Sequence, residues 1–272
     1  LAFMWSGILT AGLDMLTRSI ITRELGLEAA GIYQAAWALS GLFAGFILGA
    51  MGSDFYPRLT AVIHDSSQAV RTVNEQTEIG ILLALPGLLG TLAFAPQMME
   101  VFYTKRFVSG AELLPWMVLG VFGRVVSWPM GFIQLAKGAS RWYFVTETLF
   151  AAVHAALLLW LVARYGVVGA AYAFALTYGF YTLCMLWVGR VLIGFRWSPG
   201  VIRLVCLMAG LVGFGLALRL FFPGTTSMAV CILLTALSCT VSLRGLAGRL
   251  GTDSKWVKWI CVMPGGRWVM GL

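Results

Sequence analysis

A handful of ionisable side chains interrupt the apolar stretches of this 272-residue chain, and their types and spacing bound the chemistry available to it. Arg124 lies near the midpoint of an apolar stretch from 113 to 136. Its guanidinium is a rigid planar fork of donors that matches a phosphate or a carboxylate. At that place it must face either a cavity that receives an anion or an acidic side chain that fastens two helices together. Asp14 and Arg18 are four residues apart, so they share a helical face with the acid N-terminal. They read as a local ion pair whose Arg reaches the nearer boundary, or as separate groups: Arg18 as a second anion contact, Asp14 as a site for a coupling cation or proton. Glu147 and His154 stand two turns apart on one helical stripe. A carboxylate and an imidazole in that order could relay protons, or each could hydrogen-bond a neighbouring helix. Their spacing is too long for direct contact and is not that of a metal pair. No Ser/His/Asp arrangement, H-E-x-x-H or G-x-x-x-x-G-K-[ST] occurs, so no catalytic residue, metal or cofactor is expected.

The elements that carry these residues are set by the absence of charge around them. Five runs, Ala29–Met51, Ile79–Met99, Tyr165–Gly189, Leu204–Leu218 and Leu220–Leu243, contain no charged side chain. Crossing a hydrocarbon core of about 30 Å takes roughly 20 helical residues, and a helix satisfies its own backbone where no water is present. The expected fold class is therefore all-α: a polytopic membrane bundle of about eight spans, at 1–21, 29–51, 79–99, 113–136, 142–163, 167–189, 201–221 and 226–243. An ionisable group in the middle of such a span costs about 2.5–3.5 kcal/mol to insert, which is why Asp14, Arg18, Arg124, Glu147 and His154 stand out as candidates. The composition, 60% hydrophobic and 11% charged, leaves no room for a sizeable soluble domain.

The net charge of +8 comes from Lys and Arg in the breaks between spans. That pattern excludes nucleic acid as the expected partner and points to membrane orientation. With eight spans both ends share a side, which receives twelve basic residues against five on the other. The ends are therefore expected to be cytoplasmic. Trp142 and Tyr143, then Trp160 and Tyr165, suggest the two aromatic belts of the fifth span.

Between Gly52 and Glu78, Leu59, Val62 and Ile63, then Val70 and Val73 behind an Asp65 and Ser66 cap, read as two short amphipathic helices on the membrane surface. Gly41, Gly45, Gly49 and Gly52 form a small-residue stripe suited to close helix packing. Pro86, Pro115 and Pro129 are expected to kink spans. Cys184, Cys206, Cys231, Cys239 and Cys261 are odd in number and read as apolar packing residues rather than a disulfide or zinc set. The tail 244–272 mixes basic residues with Trp256, Trp259 and Trp268, which suits an anionic lipid surface.

A family resemblance rests on the stretch LGLEAAGIYQAAWALSGLFAGFILGAMGSDFYP (residues 25–57), followed by RLTAV and by NEQTE ahead of the helix bearing Pro86. Ala136-Lys137-Gly138 and the run Tyr165 to Ala171 add to it. Over about residues 1–190 the chain resembles the second half of a polysaccharide (O-antigen) flippase of the multidrug/oligosaccharidyl-lipid/polysaccharide (MOP) superfamily. The resemblance implies a MATE-like architecture of two six-helix lobes around a central cavity, often with two further helices. It would make 1–190 a C-terminal lobe, 191–243 the additional pair, and 244–272 a cytoplasmic tail. The chain opens at Leu1 inside an apolar run with no initiator Met; a further N-terminal lobe is expected to precede it as its partner.

The implied activity is the flipping of a lipid-linked oligosaccharide across a bacterial inner membrane, driven by an ion gradient or the potential. Arg124 and Arg18 would bind the substrate, and Asp14, Glu147 and His154 would couple it to an ion or proton. A MATE-like multidrug or small-molecule exporter is the alternative. A membrane enzyme of polyprenyl-phosphate metabolism would need carboxylate clusters for Mg²⁺, and the aspartates Asp14, Asp54, Asp65 and Asp253 are far apart.

Overall fold

A computed structural model describes residues 2–222 and 224–250. Eight α-helices follow one another: α1 (Ala2–Val62), α2 (Ser66–Ala93), α3 (Ala95–Phe102), α4 (Leu114–Ala136), α5 (Ser140–Tyr165), α6 (Val167–Ile193), α7 (Pro199–Phe221) and α8 (Thr225–Leu250), with a 3-10 segment at Lys105–Glu112. Among the described residues, six helices (α2 and α4 to α8) are each long and apolar enough to cross a membrane. Their outward faces carry exposed Leu159, Leu176, Leu183, Leu207 and Leu233, as expected of surfaces bathed in lipid.

α1 packs beside these six helices as two limbs. As one straight helix its 61 residues would run about 90 Å. Instead Trp5 stacks on Phe144 at 4.6 Å while Phe55 lies 5.7 Å from Phe132, and Ser6 and Phe132 line one cavity. Both ends of α1 therefore sit at one end of the bundle, and Gly31 in between meets Phe107 at the other. The reversal is at Gly26, whose φ of +88° and ψ of 172° are non-helical and open to glycine because it lacks a Cβ. The expected loop at 22–28 is thus one residue. The limbs 2–25 and 27–62 therefore run antiparallel to each other beside the six helices. Gly166, at φ +62°, makes a similarly abrupt turn between α5 and α6.

Several expectations are corrected. The segment 52–78 holds no separate surface helices. The second limb of α1 bends between Leu42 and Ile47 and continues to Val62, and α2 begins at Ser66. The apolar residues Leu59, Ile63 and Val73 pack inside the protein with Phe55, Met130, Ile133, Met185 and Phe195, because the rest of the bundle is closer than any bilayer surface. The Asp65 cap does form: its carboxylate accepts from the N–H groups of Ser67 and Gln68. The third span is displaced, running as α2 to Ala93 with α3 beyond Phe94.

Among the described residues the Gly41, Gly45 and Gly49 stripe meets no neighbour: a Cβ on any of them would find none of their atoms within 4 Å, whereas Gly52 touches Trp128. Close helix approach is made elsewhere, where Gly120 and Gly123 of α4 lie against Phe174 and Tyr178 of α6. Pro115 does not kink a span but starts α4, whereas Pro86 and Pro129 lie within α2 and α4.

Tyr143 is also corrected. It is buried and lines an internal cavity rather than joining an interfacial belt, while Trp160 and Tyr165 are exposed as a belt requires. Cys184, Cys206, Cys231 and Cys239 are free thiols. Cys261 and most of the basic Trp-containing tail lie outside the described residues.

The core has three layers along the bundle. One end is packed by Ile21, Leu39, Met99, Leu114, Met117 and Leu158. The middle joins α2 and α4 to α7 through Leu85, Leu89, Val121, Val125, Met208 and Val212. The opposite end is the Phe55 and Phe195 layer. There Asn74 of α2 donates to Arg196 O at 3.0 Å and accepts from Ser198 N at 2.7 Å, pinning the connection from α6 to α7.

Candidate functional site

Between the first limb of α1 and helices α4, α5 and α6 lies a cavity of about 270 Å³. α4 presents Arg124 and Ser127 to it, α5 presents Glu147 and Phe150, and α6 presents Tyr178 and Tyr181, with Ser6 from α1. The helical repeat explains the grouping: 124 and 127, 147 and 150, and 178 and 181 are i,i+3 pairs that share a face. A second cavity of about 370 Å³, lined by Trp37, Ser40, Gly41, Gly45 and Phe174, meets the first at Arg124. The guanidinium therefore borders both.

Glu147 is held from two sides. Ser6 Oγ donates to its Oε2 at 2.7 Å and the Tyr181 hydroxyl to its Oε1 at 3.0 Å. Trp5 fixes the same contact by donating its indole N–H to Thr148 Oγ1 at 3.0 Å. Arg124 shares the cavity with Glu147, yet among the described residues no acidic group lies within ion-pair distance of its guanidinium. Ion pairs elsewhere are exposed surface contacts, such as Asp54–Arg58, Arg71–Glu75, Glu100–Lys105 and Glu28–Arg106. Pairs of this kind contribute little to stability.

His154 is buried one layer away, stacked on Phe150 with the rings 5° from parallel. Its Nδ1 is 3.1 Å from Thr177 Oγ1. Thr177 has one hydroxyl proton and places it on Ala173 O at 2.6 Å. The imidazole must then donate from Nδ1, which leaves Nε2 as the acceptor of the neutral ring. Phe150 also packs edge-on against Tyr178 and Tyr181. Its apolar ring thus separates His154 from the Glu147 pair, and no chain of hydrogen bonds joins them among the described residues.

Asp14 and Arg18 are exposed on the first limb of α1 and form no ion pair within 4 Å among the described residues. Of the five candidates, the structure brings Arg124 and Glu147 together in one cavity lining and leaves Asp14, Arg18 and His154 outside it. The residues that complete the cavity, Ser6, Tyr178 and Tyr181, were not singled out from sequence. Tyr178 and Tyr181 carried a usable signal, since their i,i+3 spacing puts two hydroxyls on one face of a charge-free span. Ser6 carried none. No group of three His, Cys, Asp or Glu able to hold a metal ion occurs among the described residues.

The chain is similar in sequence and in fold to known proteins. Residues 1–112 match the family described as polysaccharide biosynthesis protein. The lipid III flippase of Escherichia coli (strain K12) is 21% identical over 186 residues, covering 65% of this chain and 43% of that protein. The chain thus spans less than half the length of the curated relative it matches. Among solved structures, the inward closed conformation of the lipid II flippase MurJ matches 92% of this chain and 52% of its own, with a TM-score of 0.64 and 16% identity. An outward-facing multidrug resistance MATE family transporter of the MOP superfamily matches 92% of this chain and 62% of its own, with a TM-score of 0.59 and 16% identity. These two likenesses establish the fold. This chain is a polytopic helical bundle with a fold like those of these two transporters, and its sequence is similar to the lipid III flippase.

Proposed function

We propose that the chain is one lobe of a bacterial inner-membrane flippase that carries a lipid-linked oligosaccharide or polysaccharide precursor across the bilayer by alternating access. Residues 1–190 form the lobe, 191–243 an added helix pair and 244–272 a cytoplasmic tail, with both ends of the chain cytoplasmic. A second, N-terminal lobe of the same transporter supplies the facing wall. The observation that supports this reading is Arg124: a cationic side chain inside the bundle, lining two cavities, with no carboxylate paired to it among the described residues. A passing lipid diphosphate brings the missing anion and matches the donor fork. Arg18 provides a second phosphate contact nearer the lobe's rim. Asp14, Glu147 and His154 couple the movement to a cation or proton. Protonation of Glu147 would turn an acceptor of the Ser6 and Tyr181 hydroxyls into a donor and loosen α1 from α5 and α6.

A second reading, a MATE-like exporter of small amphipathic molecules, is favoured by Glu147 among Phe150, Tyr178 and Trp128, a lining suited to an organic cation. One experiment separates the two. The chain is reconstituted with its N-terminal lobe in proteoliposomes, and transport of a lipid-linked oligosaccharide is measured beside that of a fluorescent organic cation. Glycan-lipid transport that needs both lobes supports the flippase. Cation export without glycan-lipid transport supports the exporter, and glycan-lipid transport by the 272-residue chain without a partner overturns the one-lobe reading.

A further inference from the structure

A cavity of about 770 Å³ opens where the α5–α6 turn and the start of α4 face the α7–α8 turn. It shares no residue with the Arg124 cavities. Arg219, in the last turn of α7, and Glu112, at the end of the 3-10 segment, both line it. Neither forms an ion pair within 4 Å among the described residues. Two opposite charges facing one volume without closing on each other leave room for a ligand that carries both signs. The same cavity has an aromatic lining: Trp116 meets Tyr172 edge-on at 4.6 Å, and Tyr172 meets Tyr165 at 5.5 Å. Aromatic faces attract an ammonium group. Exposed Leu220, Phe221 and Phe222 continue from the rim of the cavity and offer an apolar track outside it.

We propose that this cavity binds a zwitterionic phospholipid of the phosphatidylethanolamine type. The phosphate sits on Arg219, the primary ammonium on Glu112 and the aromatic wall, and the acyl chains lie along Leu220 to Phe222. The volume lies within the range of small-molecule sites. A phosphoglycerol headgroup brings no cation for Glu112, and a choline headgroup has no N–H to donate to it. The site is independent of the proposed transport activity.

The test is native mass spectrometry of the purified 272-residue chain titrated with phosphatidylethanolamine, phosphatidylglycerol and phosphatidylcholine of identical acyl chains. Free phosphoethanolamine serves as the soluble comparison. Phosphatidylethanolamine is expected to bind about tenfold more tightly than the other two lipids, the scale of one charge-assisted hydrogen bond. Free phosphoethanolamine should bind far more weakly, because the acyl track is unused. Glu112→Gln should abolish the preference while leaving phosphatidylglycerol binding unchanged. Arg219→Gln should weaken all three lipids, and Arg219→Lys should restore most of the binding. Equal binding of the three lipids overturns the proposal, as does a preference that survives Glu112→Gln. Should Arg219→Gln fail to fold, Glu112→Gln and Arg219→Lys decide the matter.

Discussion

The Tyr181 hydroxyl donates to Glu147 Oε1 at 3.0 Å, joining α6 to α5 beside the Arg124 guanidinium. Because Ser6 occupies the other carboxylate oxygen, Glu147 is a junction of three helical segments and not the counter-ion of Arg124. Tyr181→Phe is expected to destabilise the chain by about 1 kcal/mol, the net worth of one such bond. It should also shift the cation or pH dependence of transport in the two-lobe protein. Glu147→Gln, which keeps the shape, should fold and lose that dependence. Transport by Glu147→Gln with an unaltered ion and pH response would remove Glu147 from the coupling role.

Arg124 can be tested apart from folding. Since no acidic side chain pairs with it among the described residues, Arg124→Ala leaves no buried carboxylate stranded. Unfolding in detergent should be close to that of the unmodified chain. Glycan-lipid transport should be lost, with partial activity in Arg124→Lys, which keeps the charge and loses the planar fork. Normal transport by a folded Arg124→Ala would show that Arg124 is not a substrate contact. Misfolding relieved by neutralising Asp14 or Glu147 would show it to be a structural ion pair.

The two kinds of glycine in the bundle should respond in opposite directions. A Cβ on Gly120 would overlap the Phe174 ring, which is itself buried between Trp37 and Tyr178. Gly120→Ala is expected to cost about 1–3 kcal/mol, as overpacking does. Gly45 has open space around it, so Gly45→Ala should be neutral or stabilise the helix by up to about 1 kcal/mol. Thermal unfolding in detergent measures both, and equal effects would contradict the packing described for α4 against α6.

Thr177 holds the buried imidazole. Thr177→Val removes the acceptor of the His154 Nδ1–H and should destabilise by about 1–3 kcal/mol, the penalty of a stranded buried donor. Thr177→Ser retains the hydroxyl and should change little. Nitrogen chemical shifts of a labelled His154 report the tautomer directly. A neutral ring protonated at Nε2 would overturn the assignment.

Asp65 caps α2 at the polar end of the bundle. Its carboxyl is held below the usual carboxylate range, first by the Gln68 backbone N–H, then by the Gln68 side chain, with the Ser67 N–H adding to them. A lowered folded-state value means that the cap contributes fully above the carboxyl's unfolded value and is lost as pH falls through the folded one. Asp65→Asn should therefore flatten the acid limb of stability while leaving stability at neutral pH little changed. Unfolding measured from pH 7 down to pH 3 checks this, and identical acid limbs would show that the cap does not titrate with folding.

Burial of charge-free runs determined most of the fold from sequence. A run such as Tyr165–Gly189 crosses a bilayer as a helix that satisfies its own backbone, and α4, α6 and α7 begin and end within a few residues of the spans expected at 113–136, 167–189 and 201–221. The same cost of intramembrane charge marked Arg124 and Glu147 as residues needing a reason. What lay beyond sequence were relationships between helices. The Gly26 reversal depends on one backbone angle. Leu59 and Ile63 have the spacing of a surface helix, but whether lipid or protein covers them is decided by how close α4 and α6 come. The Gly41–Gly49 stripe has a packing pattern, yet only the assembled bundle shows that Gly120 and Gly123 make the close approach and the stripe stays open. Glu147 and His154 share a stripe, but the Phe150 ring between them and the hydroxyls of Ser6, Tyr181 and Thr177 assign them to separate hydrogen-bonded pairs. Periodicity fixes which residues share a face; what that face meets is settled by packing between segments far apart in the chain.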